Sequence, residues 1–250
     1  MNENIFVGVS EIYAKYRPDY PASLMNYLKY IGLNSDSIVA DIGAGTGILT
    51  NHLLNLCAKV YAIEPNDDMR NISEKTHNGN PKFHAINATA ENTTLSNNSV
   101  DFITAAQSFH WFDKQAFRAE CLRILKPCGK IILIWNRRDE TNTMVQEIDA
   151  ISHKYCPLFS GATNGMRGAN SENAYQDFFV NGYTTKIVAN DIIFDKERFV
   201  GLHQSASYRL SEDNPDYFNY IGELSHYFDL HSTAGQLILP NKTCCYVGTL

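Results

Sequence analysis

Residues 39–47 read V-A-D-I-G-A-G-T-G, an apolar run that leads directly into the alternate glycines Gly43, Gly45 and Gly47. Glycine tolerates a positive φ, and it leaves space where a Cβ would keep another molecule away. An apolar strand that ends in such a loop is typical of α/β proteins that hold a nucleotide-like ligand at the carboxyl end of the strand. The spacing of the loop and the next acidic residue indicate which ligand.

The glycine spacing distinguishes two classes of ligand. The dinucleotide fingerprint G-x-G-x-x-G, counted from Gly43, requires a third glycine at position 48, where this chain has Ile48. The third glycine is instead Gly47, and the acidic residue Asp41 precedes the loop. The pattern therefore disfavours a nicotinamide dinucleotide, and an NAD-dependent oxidoreductase is kept only as a less favoured alternative.

Glu64 is the acidic residue expected at the ribose of an adenosyl ligand. It follows the apolar run V-Y-A-I and stands 21 residues after Gly43, where a carboxylate can accept from two adjacent ribose hydroxyls. The plain alternative is a tight glycine turn beside a solvated glutamate. The loop, the spacing and the flanking apolar runs together favour an adenosyl ligand.

Strand-like and helix-like runs alternate between residues 38 and 135, which predicts a parallel sheet with helices on both faces. We expect strands at 37–42, 59–63, 82–87, 100–106 and 130–135, and helices at 46–56, 66–75 and 113–125. After residue 135 the pattern predicts helices at 143–155, 196–208 and 215–230, strands at 185–194 and 243–248, and a loop at 157–169. Ligands of such sheets bind beyond the carboxyl ends of the strands.

Composition argues against several other classes of protein. The 250 residues carry a net charge of −6 and are 44% hydrophobic, which fits one folded domain and disfavours a nucleic-acid partner. The six cysteines form no C-x-x-C pair, so we expect reduced thiols, no metal site and a cytoplasmic location. No apolar run is long enough to cross a membrane, and the first residues do not resemble a secretory signal, so we expect no membrane partner.

Several motifs resemble those of a known family. The D-x-G-x-G-x-G pattern of residues 41–47 resembles the first motif of class I S-adenosylmethionine-dependent methyltransferases, and A-T-A-E at 88–91, S-V-D-F-I at 99–103 and L-K-P-C-G-K at 125–130 resemble later ones. Q-S-F-H-W-F-D at 107–113 is similar to the A-x-Q-x-F-H-W-F signature of the type 11 methyltransferase group, which includes trans-aconitate methyltransferase-like proteins. Residues 13–21 and 135–139 resemble flanking elements of that group.

The resemblance implies a fold and an activity. The fold is a Rossmann-like α/β domain over 1–250, with a seven-stranded, mostly parallel sheet in the order 3-2-1-4-5-7-6, its last strand antiparallel, and an α-helical cap. Residues 35–136 would form the donor-binding core, 1–34 and 137–182 lid or substrate-side segments, and 183–250 the elements that complete the sheet. The activity is methyl transfer from S-adenosyl-L-methionine to a small-molecule acceptor, with a carboxylic acid as one candidate, giving S-adenosyl-L-homocysteine. The expected assembly is a monomer or a homodimer.

The resemblance also assigns candidate donor-binding residues. They are Asp41, Gly43, Ala44, Gly45, Gly47, Glu64, Pro65, Met69, Thr89, Ala90, Glu91, Gln107, Tyr16 and Arg17. Thr89 stands where the family usually has an acid, which leaves recognition of the adenine amine to a backbone amide, the Thr89 hydroxyl or Glu91. Gln107 could bond the amino-acid part of the donor or the substrate, or it could simply cap a loop. Arg17 could pair with the donor carboxylate, or it could be a surface residue at a helix end.

The acceptor side is predicted to contain His110, Trp111, Arg137 and Arg138. His110 is the candidate general base, because it follows the fourth strand and an imidazole titrates near neutral pH. The alternative is that His110 packs between aromatic rings and forms the pocket wall. One of the two arginines could anchor a carboxylate, or both could be solvated charges. A non-catalytic protein that senses an adenosyl ligand would need the same glycine loop and stays an open alternative.

Overall fold

The computed structural model describes residues 10–161 and 172–250. Its strands are β1 (Ile38–Ile42), β2 (Lys59–Ile63), β3 (Phe83–Ile86), β4 (Val100–Ala106), β5 (Leu125–Arg138), β6 (Tyr183–Ala189), β7 (Ile192–Phe194), β8 (Leu237–Leu239) and β9 (Asn241–Gly248). Its helices are α1 (Ser10–Tyr16), α2 (Ala22–Tyr30), α3 (Ile48–Leu54), α4 (Asp67–Thr76), α5 (Lys114–Ile124), α6 (Thr143–Tyr155), α7 (Glu172–Phe178), α8 (Lys196–Gln204) and α9 (Tyr217–His231), with a single 3-10 turn at Phe109–Trp111 among the described residues.

Seven strands form one sheet in the order β3-β2-β1-β4-β5-β9-β6. Counting along the chain only the strands of this sheet, the order is 3-2-1-4-5-7-6, and β9 alone runs antiparallel to the other six strands. The predicted topology is therefore confirmed. Since β1, β2, β4 and β5 are parallel, their carboxyl ends meet at one edge of the sheet, where the loops that follow them lie together.

Both faces of the sheet are covered by helices. On one face, Leu24 and Leu28 of α2 and Leu53 of α3 pack with sheet residues, and on the other face Phe117 of α5 and Phe178 of α7 do so. Because helices cover both faces, the side chains on both sides of a strand can be apolar. The continuous run I-I-L-I-W of β5 is an example. The sheet and its helices form the part of the protein that positions the strand ends.

A second apolar core lies apart from the sheet. It is built from α6, α8, α9 and the two-stranded sheet of β7 and β8, which we call the cap. Its fully buried side chains include Phe194, Phe199 and Leu224. Residues 192–239 thus contribute to the cap, while β6 and β9 on either side of them extend the main sheet.

The predicted strand at 185–194 is wrong as one element, because the chain changes sheet between β6 and β7. At that point the Asn190 amide donates to the Asn241 carbonyl over 2.9 Å, and the Asn241 amide donates to the Asp191 carboxylate over 3.2 Å. Helices α1, α2 and α7 and strand β8 were not predicted. Of the predicted loop at 157–169, residues 162–169 lie outside the described residues.

Within the described part of the chain, no helix combines the length and the apolar character needed to cross a membrane.

Candidate active site

A cavity of about 210 Å³ lies at the carboxyl ends of β1, β2, β4 and β5. Its walls come from the glycine loop, from the segments after β2 and β4, and from the end of β5. The segment after α1 and the cap residues Ile192, Leu202 and Tyr208 cover it. The cavity therefore lies where a doubly wound sheet binds its ligands.

The glycines of the loop all have positive φ, but their surroundings differ. A Cβ on Gly43 would lie 2.6 Å from Cβ of Ser108, and one on Gly47 would lie 2.6 Å from Oγ of Ser73. A Cβ on Gly45 would meet only the Met69 sulfur, at 3.7 Å. Gly43 and Gly47 are thus required by the packing of the protein, whereas at Gly45 the space beside the backbone belongs to the cavity.

Glu64 is buried at the end of β2, and both of its carboxylate oxygens bind backbone amides. The Gly45 amide donates to Oε2 over 2.8 Å and the Asn66 amide donates to Oε1 over 2.9 Å. Burial raises the pKa of this carboxyl above its ordinary value, while the two amide bonds and Arg70 oppose the rise. Each carboxylate oxygen can accept a further bond, so Glu64 both fixes the loop and keeps acceptors at the cavity wall.

Asp41 lies at the end of β1, with its carboxylate directed at two hydroxyl groups. Oγ1 of Thr50 and Oγ1 of Thr104 each donate to it over 2.7 Å. Burial raises the pKa of Asp41 to about 6, and the two hydroxyl bonds act against the rise. Because both oxygens are used within the protein, Asp41 ties β1 to α3 and β4 beneath the loop.

His110 lies in the turn after β4, with its ring 4.5 Å from the centre of the Trp111 ring and 5.2 Å from that of Trp135. Burial lowers its pKa to about 4, and the nearby charge of Lys114 acts in the same direction. Among the described residues, Nδ1 of His110 is buried without a hydrogen-bond partner. His110 is therefore a neutral imidazole in the wall of the cavity.

Gln107 and Arg17 reach the cavity from opposite sides. Gln107 has a φ of 57° at the end of β4, and its Nε2 donates to the Asn136 carbonyl over 3.1 Å. The guanidinium of Arg17 donates to the Ser205 carbonyl of the cap over 2.9 Å. Both side chains thus hold wall segments together as well as lining the cavity.

Arg137 and Arg138 point to opposite faces of the sheet, because they are consecutive residues of β5. Burial raises the pKa of Tyr246, and a hydrogen bond with Arg137 acts against that rise. Arg138 lies on the other face, where its Nη1 is 3.9 Å from Oδ1 of Asp149 in α6. Both arginines line the cavity, but only Arg138 has its charge directed towards α6 of the cap.

The structure brings most of the predicted site residues together around the cavity. Those that line it are Asp41, Gly43, Ala44, Gly45, Glu64, Pro65, Met69, Gln107, Arg17, His110, Trp111, Arg137 and Arg138. Those placed elsewhere are Tyr16, Gly47, Thr89, Ala90 and Glu91. Tyr16 donates to Glu197 of α8, and Glu91 accepts from the Asp113 amide at the start of α5.

Sequence reasoning missed the residues that reach the cavity from the C-terminal half of the chain. They are Ile192, Leu202, Ala206, Ser207, Tyr208 and Asn241. No motif marks them, since they come from the cap and from the first residue of β9. Only Asn241 could have been found from the sequence. If the last strand is antiparallel to β5, its first residue lies opposite the last residue of β5, at the edge of the sheet where ligands bind.

Comparison with known proteins agrees with this geometry. The sequence model of the methyltransferase domain family matches residues 40–133, the segment from β1 to β5. An uncharacterised methyltransferase of Mycobacterium tuberculosis (strain ATCC 25618 / H37Rv) is 35% identical over 139 residues, which cover 56% of this chain and 55% of that protein. An uncharacterised methyltransferase-like protein of Schizosaccharomyces pombe (strain 972 / ATCC 24843) is 30% identical over 146 residues, with 57% and 56% covered.

The chain therefore spans about half the length of the curated relatives it matches. A solved structure of a proposed type II methyltransferase from Anaeromyxobacter dehalogenans is similar over more of the chain. Its TM-score is 0.66 at 20% identity, with 93% of this chain and 97% of that chain covered. At this identity the structural similarity concerns the fold.

Proposed function

We propose that this chain, whose residues 40–133 match the sequence model of the methyltransferase domain family, transfers a methyl group from S-adenosylmethionine to a small-molecule acceptor. The observation that carries the proposal is the pairing of Gly45 and Glu64. Gly45 leaves open space beside its backbone, and the buried Glu64 carboxylate lies against the same loop and the same cavity. This is the arrangement needed to hold an adenosyl ligand by its ribose.

The donor would lie along the ends of β1 and β2. Glu64 would accept from its ribose hydroxyls through the lone pairs that the Gly45 and Asn66 amides leave available. Pro65 and Met69 also line this part of the cavity and offer apolar surface to the adenine. Thr89, Ala90 and Glu91 lie away from the cavity, so we assign adenine binding to the segment that begins α4.

The acceptor would lie on the other side of the cavity, under the cap. When bound, S-adenosylmethionine supplies a methyl carbon on a sulfonium, to which an acceptor atom bonds as the carbon–sulfur bond breaks and its electron pair stays on sulfur. The protein's own contribution is to align the two reactants and to exclude water. Trp111, Trp135 and the cap residues Leu202 and Tyr208 form the apolar wall that would do this.

We propose a carboxylic acid as the acceptor, because Arg17 and Arg138 bring two cationic groups to the part of the cavity under the cap. No proton needs to leave a carboxylate before its oxygen attacks. A strong base is then unnecessary, and His110 would serve as a neutral wall rather than as a proton acceptor. This assignment fits the contact of the partly buried His110 ring with two indole rings.

Binding of S-adenosylhomocysteine to Gly45→Ala tests the donor site. The added Cβ meets no close protein atom but enters the space of the ligand, so we expect the affinity to fall on the order of tenfold or more, about 1.4 kcal/mol. Glu64→Gln should weaken binding by about 1–3 kcal/mol through the loss of the charged acceptor. Isothermal titration calorimetry measures both.

Gly79→Ala is the matched control. Gly79 has a φ of 78°, against 59° for Gly45, and a Cβ there would meet nothing within 4 Å. The control therefore carries a similar backbone strain away from the cavity and should keep the parent affinity. Equal affinities of the Gly45→Ala and Gly79→Ala variants would rule out the donor site. Donor binding without methylation of any carboxylic acid in a broad panel would rule out the acceptor assignment and favour a sensor.

A further inference from the structure

Several side-chain atoms of residues that line the cavity are buried without hydrogen-bond partners among residues 10–161 and 172–250. Three of them are guanidinium or amide nitrogens, Nη1 of Arg138, Nδ2 of Asn241 and Nε of Arg17, and they come from β5, β9 and the segment after α1. A buried donor without a partner is costly, and folded proteins keep few of them. Three in one cavity indicate a ligand that supplies the missing acceptors.

Arg138 and Asn241 are neighbours by strand register. They are direct partners in the antiparallel pairing of β5 with β9, and such partners place their side chains on the same face of the sheet. The next pair on the same face, Asn136 and Thr243, shows this arrangement, since the Thr243 hydroxyl donates to Oδ1 of Asn136 over 2.6 Å. Asn241 is only 3% exposed and is one of the residues that line the cavity, so its unpartnered amide nitrogen lies inside the protein and not at its surface.

Arg17 approaches the same place from the opposite side. One of its terminal nitrogens is held by the Ser205 carbonyl, and its Nε is buried without a hydrogen-bond partner among the described residues. Burial raises the pKa of Tyr208, and the charges of both Arg138 and Arg17 act against that rise, so both guanidinium groups lie near this cap residue. Burial lowers the pKa of His203 to about 3, with the same two arginines acting in the same direction.

Two acidic groups lie at this cluster. Asp149 of α6 lies 3.9 Å from Nη1 of Arg138, which is within an ion pair but beyond a hydrogen bond. Asp191 accepts from the backbone amide of Asn241 over 3.2 Å. Nη1 of Arg138, Nδ2 of Asn241 and Nε of Arg17 stay without hydrogen-bond partners beside these carboxylates, and such donors match an anion with more than one acceptor oxygen.

We propose that Arg138, Asn241 and Arg17 form the binding site for the carboxylate of the methyl acceptor, with Asn241 as a specificity-determining residue. This inference rests on the proposed function. The carboxylate of the donor is the competing occupant, but the glycine loop follows β1, and β9 lies three strands away, about 14 Å at the usual strand spacing. An acceptor held by one carboxylate at this site would direct its remaining part towards the wall of Trp111 and Leu202.

Acetate and acetamide are the probes that test the site, because they have nearly the same size and differ in charge. They are titrated into protein saturated with S-adenosylhomocysteine while the nitrogen–proton signals of Asn241 Nδ2 and Arg17 Nε are followed by NMR. We expect acetate to shift both signals to saturation and acetamide to leave them unchanged. Absence of a saturable acetate response in protein that binds S-adenosylhomocysteine would overturn the inference and leave the proposed function intact.

Amino-acid substitutions show which residues bind the acetate. Asn241→Leu and Arg138→Met should each weaken acetate by about tenfold or more, the size expected for the loss of a charge-assisted or buried bond. Asn241→Asp keeps the shape, places a negative charge at the site and should abolish the response. Lys242→Met is the control, since it removes one positive charge from the next residue of β9, whose side chain is 53% exposed. If Lys242→Met lost as much acetate affinity as the other variants, the effect would come from the overall charge of the protein, and the site would be refuted.

Acetate binding to the protein with either of two adenosyl compounds bound shows whether the three residues hold the carboxylate of the acceptor or that of the donor. Methylthioadenosine has the adenosine and sulfur of the donor product but no amino-acid carboxylate. We expect acetate to bind equally to protein loaded with either compound. If S-adenosylhomocysteine blocks acetate and methylthioadenosine does not, the three residues hold the carboxylate of the donor and the inference is wrong. If neither compound binds, the proposed function itself fails.

Discussion

His110 has its charge state fixed by the rings around it. The imidazole contacts the rings of both Trp111 and Trp135, and burial lowers its pKa to about 4, with Lys114 acting in the same direction. The proton is lost as the pH rises through the pKa, so the ring is neutral throughout the physiological range. A neutral ring can shape the cavity at constant charge, whereas an unperturbed histidine would change charge near pH 6.5, its approximate ordinary pKa.

His110→Gln should therefore have a small effect on methyl transfer. We expect kcat/KM for a carboxylic acid acceptor to fall by less than about tenfold, because a general base would contribute about 10²–10⁴-fold. The pH profile of the parent protein should show no inflection from His110 between about pH 5 and pH 8. Steady-state kinetics check both, with the exposed His226→Gln as control. A loss of about a hundredfold or more would identify His110 as the base.

At the scale of elements, the first helix is attached to the cap by its last turn. Tyr16 donates to Glu197 of α8 over 2.8 Å, Lys15 pairs with the same carboxylate, and Arg17 donates to Ser205. The Tyr16 ring lies directly on the backbone of α8, since a Cβ on Gly201 would be 2.3 Å from it. We propose that α1 and α8 together close the cavity as a lid.

Gly201→Ala tests this closure. The added methyl group forces the Tyr16 ring away from α8, and an overpacked contact costs about 1–3 kcal/mol. We expect S-adenosylhomocysteine to dissociate about fivefold faster or more, which corresponds to the lower end of that range. Stopped-flow fluorescence measures the rate. Gly222→Ala in α9, where a Cβ meets nothing within 4 Å, should keep the parent rate, and an unchanged rate in Gly201→Ala would refute the lid.

The sheet strands could be predicted because their sequence is marked locally. Continuous apolar runs end at turn or acidic residues, as at Glu64 after β2, and Asn66 caps α4 by accepting from the Met69 amide as its position suggested. The run at 185–194 contains no Gly or Pro, and although Asn190 and Asp191 are residue types common in turns, they do not show by themselves that the chain changes sheet there. That break depends on bonds from Asn190 and Asp191 to Asn241, about fifty residues later.

The donor side and the acceptor side of the cavity also differ in how far they could be predicted from the sequence. Glu64 and the glycine loop are close in sequence, so their spacing alone predicted that they meet, and the amide bond from Gly45 joins them. Asn241 and Tyr208 reach the cavity through the cap and the last strand, and only the fold brings them there. Their residue types carry no signal by themselves, since an isolated Asn or Tyr is common on any surface.

At the scale of the whole molecule, Asp41 makes stability depend on pH. Its pKa is 3.8 when unperturbed and about 6 in the folded protein, so between these values the folded state holds more protons than the unfolded state. The contribution of the protonated Asp41 carboxyl to the free energy of unfolding is therefore fully present below its unperturbed pKa of 3.8. It is lost as the pH rises through the folded-state pKa of about 6. The resulting cost above pH 6 is on the order of 3 kcal/mol, at about 1.4 kcal/mol for each pKa unit.

Asp41→Asn should remove this dependence. The free energy of unfolding of the variant, relative to the parent, should increase between about pH 5 and pH 7.5 by on the order of 1 kcal/mol, since part of the cost is already present at the lower pH. Urea denaturation at the two pH values measures it. Asp36→Asn, at an exposed acid, is the control and should follow the parent. A parallel pH response of Asp41→Asn and the parent would show that Asp41 does not titrate in this range.

The pairing of β5 with β9 has a consequence for which changes the chain can tolerate. Eight successive residue pairs, from Ile131 and Gly248 to Arg138 and Asn241, fix which side chains face each other at the cavity. One residue inserted within β9 would turn Asn241 to the other face and bring a neighbour opposite Arg138. Loops around the cavity can lengthen without this effect. New acceptor preferences would therefore arise by substitution within the two strands, and insertions would be confined to the loops.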